Sequence, residues 1–303
     1  MKTYKLYIVA ALLGTVLAGC QMKELDFQPV ESPKNSAKTW TLTVEAAQTK
    51  AMSLDGTTLS TYWTAGEKVA VYKADGTKIG TLLATPGEPN TTATLKGELT
   101  VDGIAAGNTI YLLFPGRDDN LWTYQGQDGS APSESGTMAT SFDYATASLT
   151  IDTVDEVNHV LTVDSKATFK NQQSVFRFGF KVGGAGEPIA VSSFTVSAAE
   201  GKLVRSRAFS AGSWASTFGS VTVEPTTVPG NLYYTSLRNE NTTTAEVLSF
   251  SVIRSSDSAL LEGTKDVPVA ALGDGLYLTA NVSVSQKTLA PSATTISDEL
   301  EVL

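Results

Sequence analysis

Residues 39–46 read TWTLTVEA. Trp40, Leu42 and Val44 fall on one side of an extended chain, and Thr39, Thr41, Thr43 and Glu45 on the other. Successive side chains of a strand point to opposite faces, so this two-residue period marks a strand with one buried face. The pattern recurs in KVAVYKA, TATLKGELTV, TIYLLFP, SLTIDTV and HVLTVDS. Turn residues separate the runs: Asp75-Gly76, Pro86-Gly87, Asp102-Gly103, Pro115-Gly116 and Asp128-Gly129. Asp-Gly between alternating runs signals a hairpin, because the turn needs positive φ. In YKADGTKIGTLL, Tyr72 enters, Asp75-Gly76 turns the chain and Ile79 returns.

The second half keeps the style without repeating the sequence. SVFRFGFKV sets Phe176, Phe178, Phe180 and Val182 against Val175, Arg177, Gly179 and Lys181. IAVSSFTVSAA, KLVRSRAFS, SVTVEP, NLYYTSL, EVLSFSVIRS and LYLTANVSVSQ follow. No segment predicts a helix longer than one or two turns. Short strands with Gly, Pro and Asp turns predict an all-β protein of antiparallel β-sandwiches. The aromatic-poor SLTIDTV region gives way to the phenylalanine-rich run near Asp164–Lys166, so residues 38–164 and 165–303 are the expected domains. The polar segment 116–141 is a long loop, and such loops are usually functional or mobile. Leu121, Trp122 and Tyr124 inside it need some cover, so partial packing is expected, and Trp122 and Tyr124 are its candidate contact residues.

The chain starts with Lys2 and Lys5, then an apolar run from Leu6 to Ala18. A membrane span needs about 20 apolar residues, so the run is short for one and fits a signal peptide over residues 1–19. Leu17-Ala18-Gly19-Cys20 resembles a bacterial lipobox, in which the cysteine is lipidated. Its thiolate is a good nucleophile for alkylation. Cys20 is the one cysteine of the sequence, which excludes an intrachain disulfide and a cysteine-cluster zinc site. Residues 20–37, polar with two prolines, form a tether between lipid and fold. Gln21 is not the aspartate associated with inner-membrane retention, and Lys23-Glu24 with Asp26 is similar to a surface-export signal. The expected location is the outer membrane and the cell surface.

The formal charge is −9, and loss of residues 1–19, two lysines and no acids, takes it to −11. That balance argues against nucleic acid as a partner. A catalytic constellation is not legible. The lone histidine, His159, lies beside an alternating run, and without a second one most zinc sites and Ser-His-Asp relays fall away. No G-x-S-x-G elbow occurs. The acidic pairs Asp118-Asp119 and Asp155-Glu156 read as solvated surface. The expectation is a protein that is not an enzyme, with no metal and no cofactor.

The run QTKAMSLDGTTLSTYWTAGEKVAVYKADG resembles the N-terminal domain of the fimbrillin family, the subunits of type V pili in Bacteroidales. The matching residues are Thr49-Lys50-Ala51, then Trp63, Gly66, Glu67, Val69, Val71 and Tyr72. TIYLLFPG, NLYYTSLRN and DGLYLTANVSVSQ are similar to later family segments. The resemblance implies two transthyretin-like β-sandwich domains in tandem, and a lipoprotein precursor brought to the outer membrane. It implies that a protease then removes the N-terminal strand with its lipid, and that a strand of another pilin subunit fills the groove. The best-known members are cut after arginine, yet no arginine precedes Arg117 here. Lys50 and Lys38 are the processing candidates, Lys50 matching the family segment better. If neither is cut, the chain stays anchored through Cys20. In the tail 287–303, Leu300 and Val302 alternate with Glu299 and Glu301 and make a candidate donor strand. The alternative is a non-polymerising surface lipoprotein that binds glycans or a host protein.

Overall fold

The computed structural model describes residues 37–47, 52–55, 58–133, 136–210, 212–226, 229–240, 245–268, 272 and 275–287. Cys20, Lys50, Leu300 and Val302, singled out in the sequence, lie outside the described residues. The protein is nearly all β. The first half gives β1 (Lys38–Ala46), β2 (Met52–Asp55), β3 (Thr58–Thr61), β4 (Lys68–Lys73), β5 (Lys78–Pro86), β6 (Ala93–Val101), β7 (Thr109–Phe114), β8 (Leu121–Thr123), a one-turn helix α1 (Thr137–Ser141), β9 (Ala145–Asp155), β10 (Val160–Val163) and β11 (Lys170–Asn171). The second gives β12 (Ser174–Val182), β13 (Val191–Ala198), β14 (Val204–Ser210), β15 (Ser213–Phe218), β16 (Val221–Val223), β17 (Leu232–Leu237), β18 (Ala245–Arg254), β19 (Leu260–Pro268) and β20 (Tyr277–Gln286).

The first sheet runs β10-β1-β6-β5-β4-β7-β9-β11, and β10 also pairs with β9. That extra pairing closes the sheet into a barrel-like ring. Closure removes edges that would otherwise template pairing with another chain. The second sheet runs β16-β13-β18-β19-β20-β12-β17. Two pairings depart from the antiparallel expectation: β1 lies parallel to β10, and β12 lies parallel to β20 from Val175↔Tyr277 to Val182↔Val284. The first sheet's last strand is β11 and the second sheet starts at Ser174, so the sheets change over at Gln172-Gln173.

The two sheets share a wall. Along β4, Val69 and Val71 point into the core of the first half, while Ala70 and Tyr72 belong to the core of the second. Along β7, Ile110 and Leu112 face the first core and Leu113 the second. Both strands are therefore apolar on two faces, as strands covered on both sides must be. Gly76 turns β4 into β5 at φ +86°, and a Cβ there would sit 2.9 Å from Ser210 Cα. The tip of the β14–β15 hairpin rests on this turn, so glycine is required twice over, by the backbone angle and by the close approach.

The segment expected to be a long loop is instead a strap that completes the second half. Its β8 adds to β14, with Trp122 opposite Arg207. Residues 125–129 then run between β16 and β17, the two end strands of the seven-stranded sheet. Toward β16, the Glu224 N–H donates to Gln127 O at 3.0 Å and the Thr226 N–H to Asp128 O at 3.1 Å. Toward β17, the Tyr234 N–H donates to Gly129 O at 3.0 Å. The buried Gln127 amide does the rest: its Oε1 accepts from the Ser236 N–H at 2.6 Å, and its Nε2 donates to Ser236 O at 2.9 Å. Asp128 turns the strap by accepting from Ser130 N–H and Oγ–H and from Thr137 Oγ1–H. Partial burial opposes its charge, but the Ser130 and Thr137 hydrogen bonds outweigh this and hold its carboxyl below the usual value.

Removing one partner of a buried hydrogen bond leaves the other unsatisfied, at about 1–3 kcal/mol per group. Gln127→Leu strands the N–H and C=O of Ser236 together, so it is expected to lower stability by about 2–4 kcal/mol, measured by urea unfolding of the full-length chain. A change under about 0.5 kcal/mol would show that the strap does not seal this edge. The depressed Asp128 carboxyl contributes stability above the unfolded-state pKa of a carboxylate, and this is lost as pH falls through the folded value. Asp128→Asn should therefore flatten the acid limb of the stability–pH curve and leave its shape above pH 6 unchanged.

Candidate functional site

The strand read first, β1, sits inside the first sheet. It pairs antiparallel with β6 along its whole length, from Lys38↔Val101 to Ala46↔Ala93. On its other side the Thr41 N–H donates to His159 O at 2.8 Å, the Ala47 N–H to Ala167 O at 2.9 Å, and the Ala167 N–H to Glu45 O at 2.7 Å. Trp40, Leu42, Val44 and Ala46 are buried in the first core, and Glu45 and Thr43 face out. The alternation fits this placement: the apolar face fills the ring and the polar face meets solvent. Each fully buried large apolar side chain contributes about 1.5–3 kcal/mol. Removing β1 would leave β6 unpaired along one edge and a row of apolar vacancies beneath it. Those two features are what a strand from another chain needs, backbone partners and pockets at alternate positions.

Ion pairs fasten both ends of β1. Lys38 Nζ lies 2.6 Å from Glu156, and Lys166 Nζ lies 2.6 Å from Glu45. All four side chains are largely exposed, where such pairs contribute little. His159 is an exposed residue at φ 55°, its ring 5.5 Å from Trp40. Lys38 is the first residue of β1, so a cut after it would leave the strand in place. Lys50 lies between β1 and β2, beyond the strand's end. Among the described residues, no three His, Cys, Asp or Glu side chains gather as a metal site would require.

The family-like residues around β4 hold the fold. Trp63 is buried, edge-on to Phe114 at 5.8 Å and to Phe169 at 5.5 Å. Gly66 turns the chain at φ +83°, its N–H donating to Ala84 O. Val69, Val71 and Tyr72 are core residues.

Trp122 and Tyr124 do not offer a contact surface. They are 1% and 0% exposed. Trp122 stacks on Tyr144 at 4.7 Å and 11°, and its ring centre is 4.3 Å from that of Trp214. Tyr124 Oη–H donates to Gln172 O at 3.0 Å. The cover comes from β14 and β15, far along the chain: Arg207 lies over the Trp214 ring at 4.2 Å, 4% exposed. Burial, then the neighbouring Arg238 cation, push the Arg207 guanidinium down to about 10, so it stays charged at neutral pH. Glu240 lies 3.7 Å from Arg207 and 3.3 Å from Arg238. Arg207, Gln127 and Gln172 were not singled out in the sequence; each is a single polar residue whose role depends on distant partners.

Truncating a buried tryptophan typically costs about 3–5 kcal/mol. Trp40→Ala is expected to cost about 3 kcal/mol in urea unfolding and Thr43→Ala under about 0.5, because Thr43 faces solvent. Equal effects would show that β1 does not hold its place through its apolar face.

Solved structures similar to this chain include a candidate cell adhesion protein from Bacteroides uniformis, at 16% identity over 81% of this chain and 96% of that one, TM-score 0.40. A candidate adhesin from Bacteroides ovatus matches at 15% identity over 90% and 99%, TM-score 0.40. A fimbrial protein from Bacteroides ovatus matches at 11% identity over 82% of this chain and 49% of its own, TM-score 0.34. No protein-family model matches the sequence, and no curated protein does.

Proposed function

We propose that this chain is a structural subunit of a cell-surface fimbria, exported as a lipoprotein through Cys20 and assembled with other pilin subunits by β-strand exchange in the service of adhesion. Two tandem transthyretin-like domains are part of this reading. The observation that carries it is the position of β1. The strand is held on both sides by backbone hydrogen bonds and fills the first core with one face, yet a single cut between Ala46 and Met52 separates it from every later strand. A cut after Lys50 falls in that interval; a cut after Lys38 does not. The lipid on Cys20 would leave with β1, so anchorage to the outer membrane ends where assembly starts. The donor would be the tail, with Leu300 and Val302 as the alternate side chains that refill the vacancies.

A second reading, a non-polymerising surface lipoprotein that binds glycans or a host protein, is favoured by an aromatic cleft between the two halves, described below.

The test is mass spectrometry of the N-terminus of the surface-exposed protein, beside electrophoresis of undigested cell-surface material heated mildly in detergent. The expected result is a start at Ala51 and a heat-stable ladder. Lys50→Ala should leave an acylated Cys20 and a monomer, and Lys38→Ala should change nothing. An acylated, monomeric wild type overturns polymerisation and leaves the anchored reading.

A further inference from the structure

A cavity of about 460 Å³ lies where the β14–β15 hairpin leans on the outer face of the first sheet. Its floor is two cross-strand pairs of β7 and β9, Tyr111↔Ser148 and Leu113↔Thr146. One wall is aromatic: Phe209 lies 5.0 Å from Tyr111 and 5.3 Å from Trp214. Trp214 and Tyr111 are half-buried and line the opening, though Trp122 and Arg207 lie against the Trp214 ring. The opposite wall is the run Lys166, Thr168 and Lys170. Its two-residue period sets these three in the cleft while Ala167 and Phe169 enter the first core. Lys166 also meets Glu45; Lys170 Nζ has no ion-pair or hydrogen-bond partner among the described residues.

We propose that this cleft binds an acidic saccharide, a pyranose carrying a carboxylate. Its volume falls in the range of small-ligand sites, about 300–1,000 Å³. Tyr111 and the part of Trp214 left uncovered offer apolar contact to the C–H face of a sugar ring. Hydroxyls on Ser148, Thr146 and Thr168 suit its polar edge, as at interfaces where orientation is set by a few convergent polar groups. Lys170 sets a local positive charge in a chain of formal charge −9, the Lys166 charge being offset by Glu45, and this selects a carboxylate over a neutral sugar. A peptide strand fits less well. Peptides are captured on unpaired strand edges, and the floor strands β7 and β9 are already paired with each other. The inference rests on the adhesive part of the function proposed above and is independent of strand exchange.

The experiment is titration calorimetry of the full-length chain with 3′-sialyllactose and with a glucuronate-containing disaccharide, each beside lactose, and with a decameric glutamate peptide as competitor. The Lys50→Ala chain is run in parallel, so binding is read whether or not subunits assemble. The expected result is acidic saccharides binding at least tenfold more tightly than lactose. Lys170→Glu should remove that preference, and Ser148→Tyr, filling the cleft from an exposed position, should abolish binding of all three. Both should unfold at the wild-type urea midpoint. The proposal is overturned by absence of binding at about 10 mM, by wild-type binding in both variants, or by full displacement with the glutamate peptide, which would assign the cleft to acidic peptide.

Discussion

A β-sheet that stops has two rows of backbone groups with nowhere to go, and most of this architecture follows from how those rows are satisfied. In the first half the answer is closure, with β10 pairing both β1 and β9. In the second half β16 and β17 do not reach each other. Residues 125–129 from the first half lie between them and supply main-chain partners to β16 and β17, with the Gln127 side chain standing in for a strand at Ser236. A buried N–H or C=O without a partner is costly enough that this segment is a structural part of the second half, although it belongs to the first in sequence. β15 keeps an outer edge, but it is short and carries Ser213, Ser216 and Thr217. Edges of that kind pair poorly with other chains.

The same economy makes the halves interdependent. β4 and β7 serve two cores, one per face. The β14–β15 hairpin returns the contact by resting on the Gly76 turn and on Tyr111, whose Oη would sit 2.9 Å from a Cβ at Gly212. The cleft between the halves is the space left where this hairpin meets the barrel without filling it. Its geometry is thus fixed by three elements distant in sequence, which suits a site that must hold its shape without moving parts.

Alternation made many strands legible: TWTLTVEA shows in the sequence the burial it adopts in the fold, whereas SVFRFGFKV buries Val175 with the phenylalanines and leaves Val182 exposed. The family-like residues from Trp63 to Tyr72 were equally visible, and their role is to set the turn into β4 and fill both cores. What stayed hidden was long-range. KVAVYKA reads as a strand with one buried face, yet Val69 to Tyr72 are all buried, and nothing local says which second core it meets. Trp122 and Tyr124 sit among polar residues and read as loop, because their cover, Arg207 and Trp214, arrives from more than eighty residues away. The parallel partners of β1 and β12 are long-range pairings, which the period of a strand does not encode.

β1 is where these constraints and the proposed assembly meet. An interior strand is normally the hardest to remove, because both neighbours and the core hold it. Covalent topology is the exception. Every other described strand follows β1, so one cut after it severs no other pairing, whereas extracting β6 or β9 would need two cuts and the loss of two connections. Removal of β1 would leave a groove shaped by β6 on one side and residues 160–167 on the other, with apolar vacancies at every second position. A replacement strand in that groove would restore the hydrogen bonds and the burial lost with β1, so the proposed exchange would be close to neutral in interactions. Under the proposed assembly, a chain folded around its own β1 would stay closed until the cut is made, and TWTLTVEA would define the shape that a successor strand must fill.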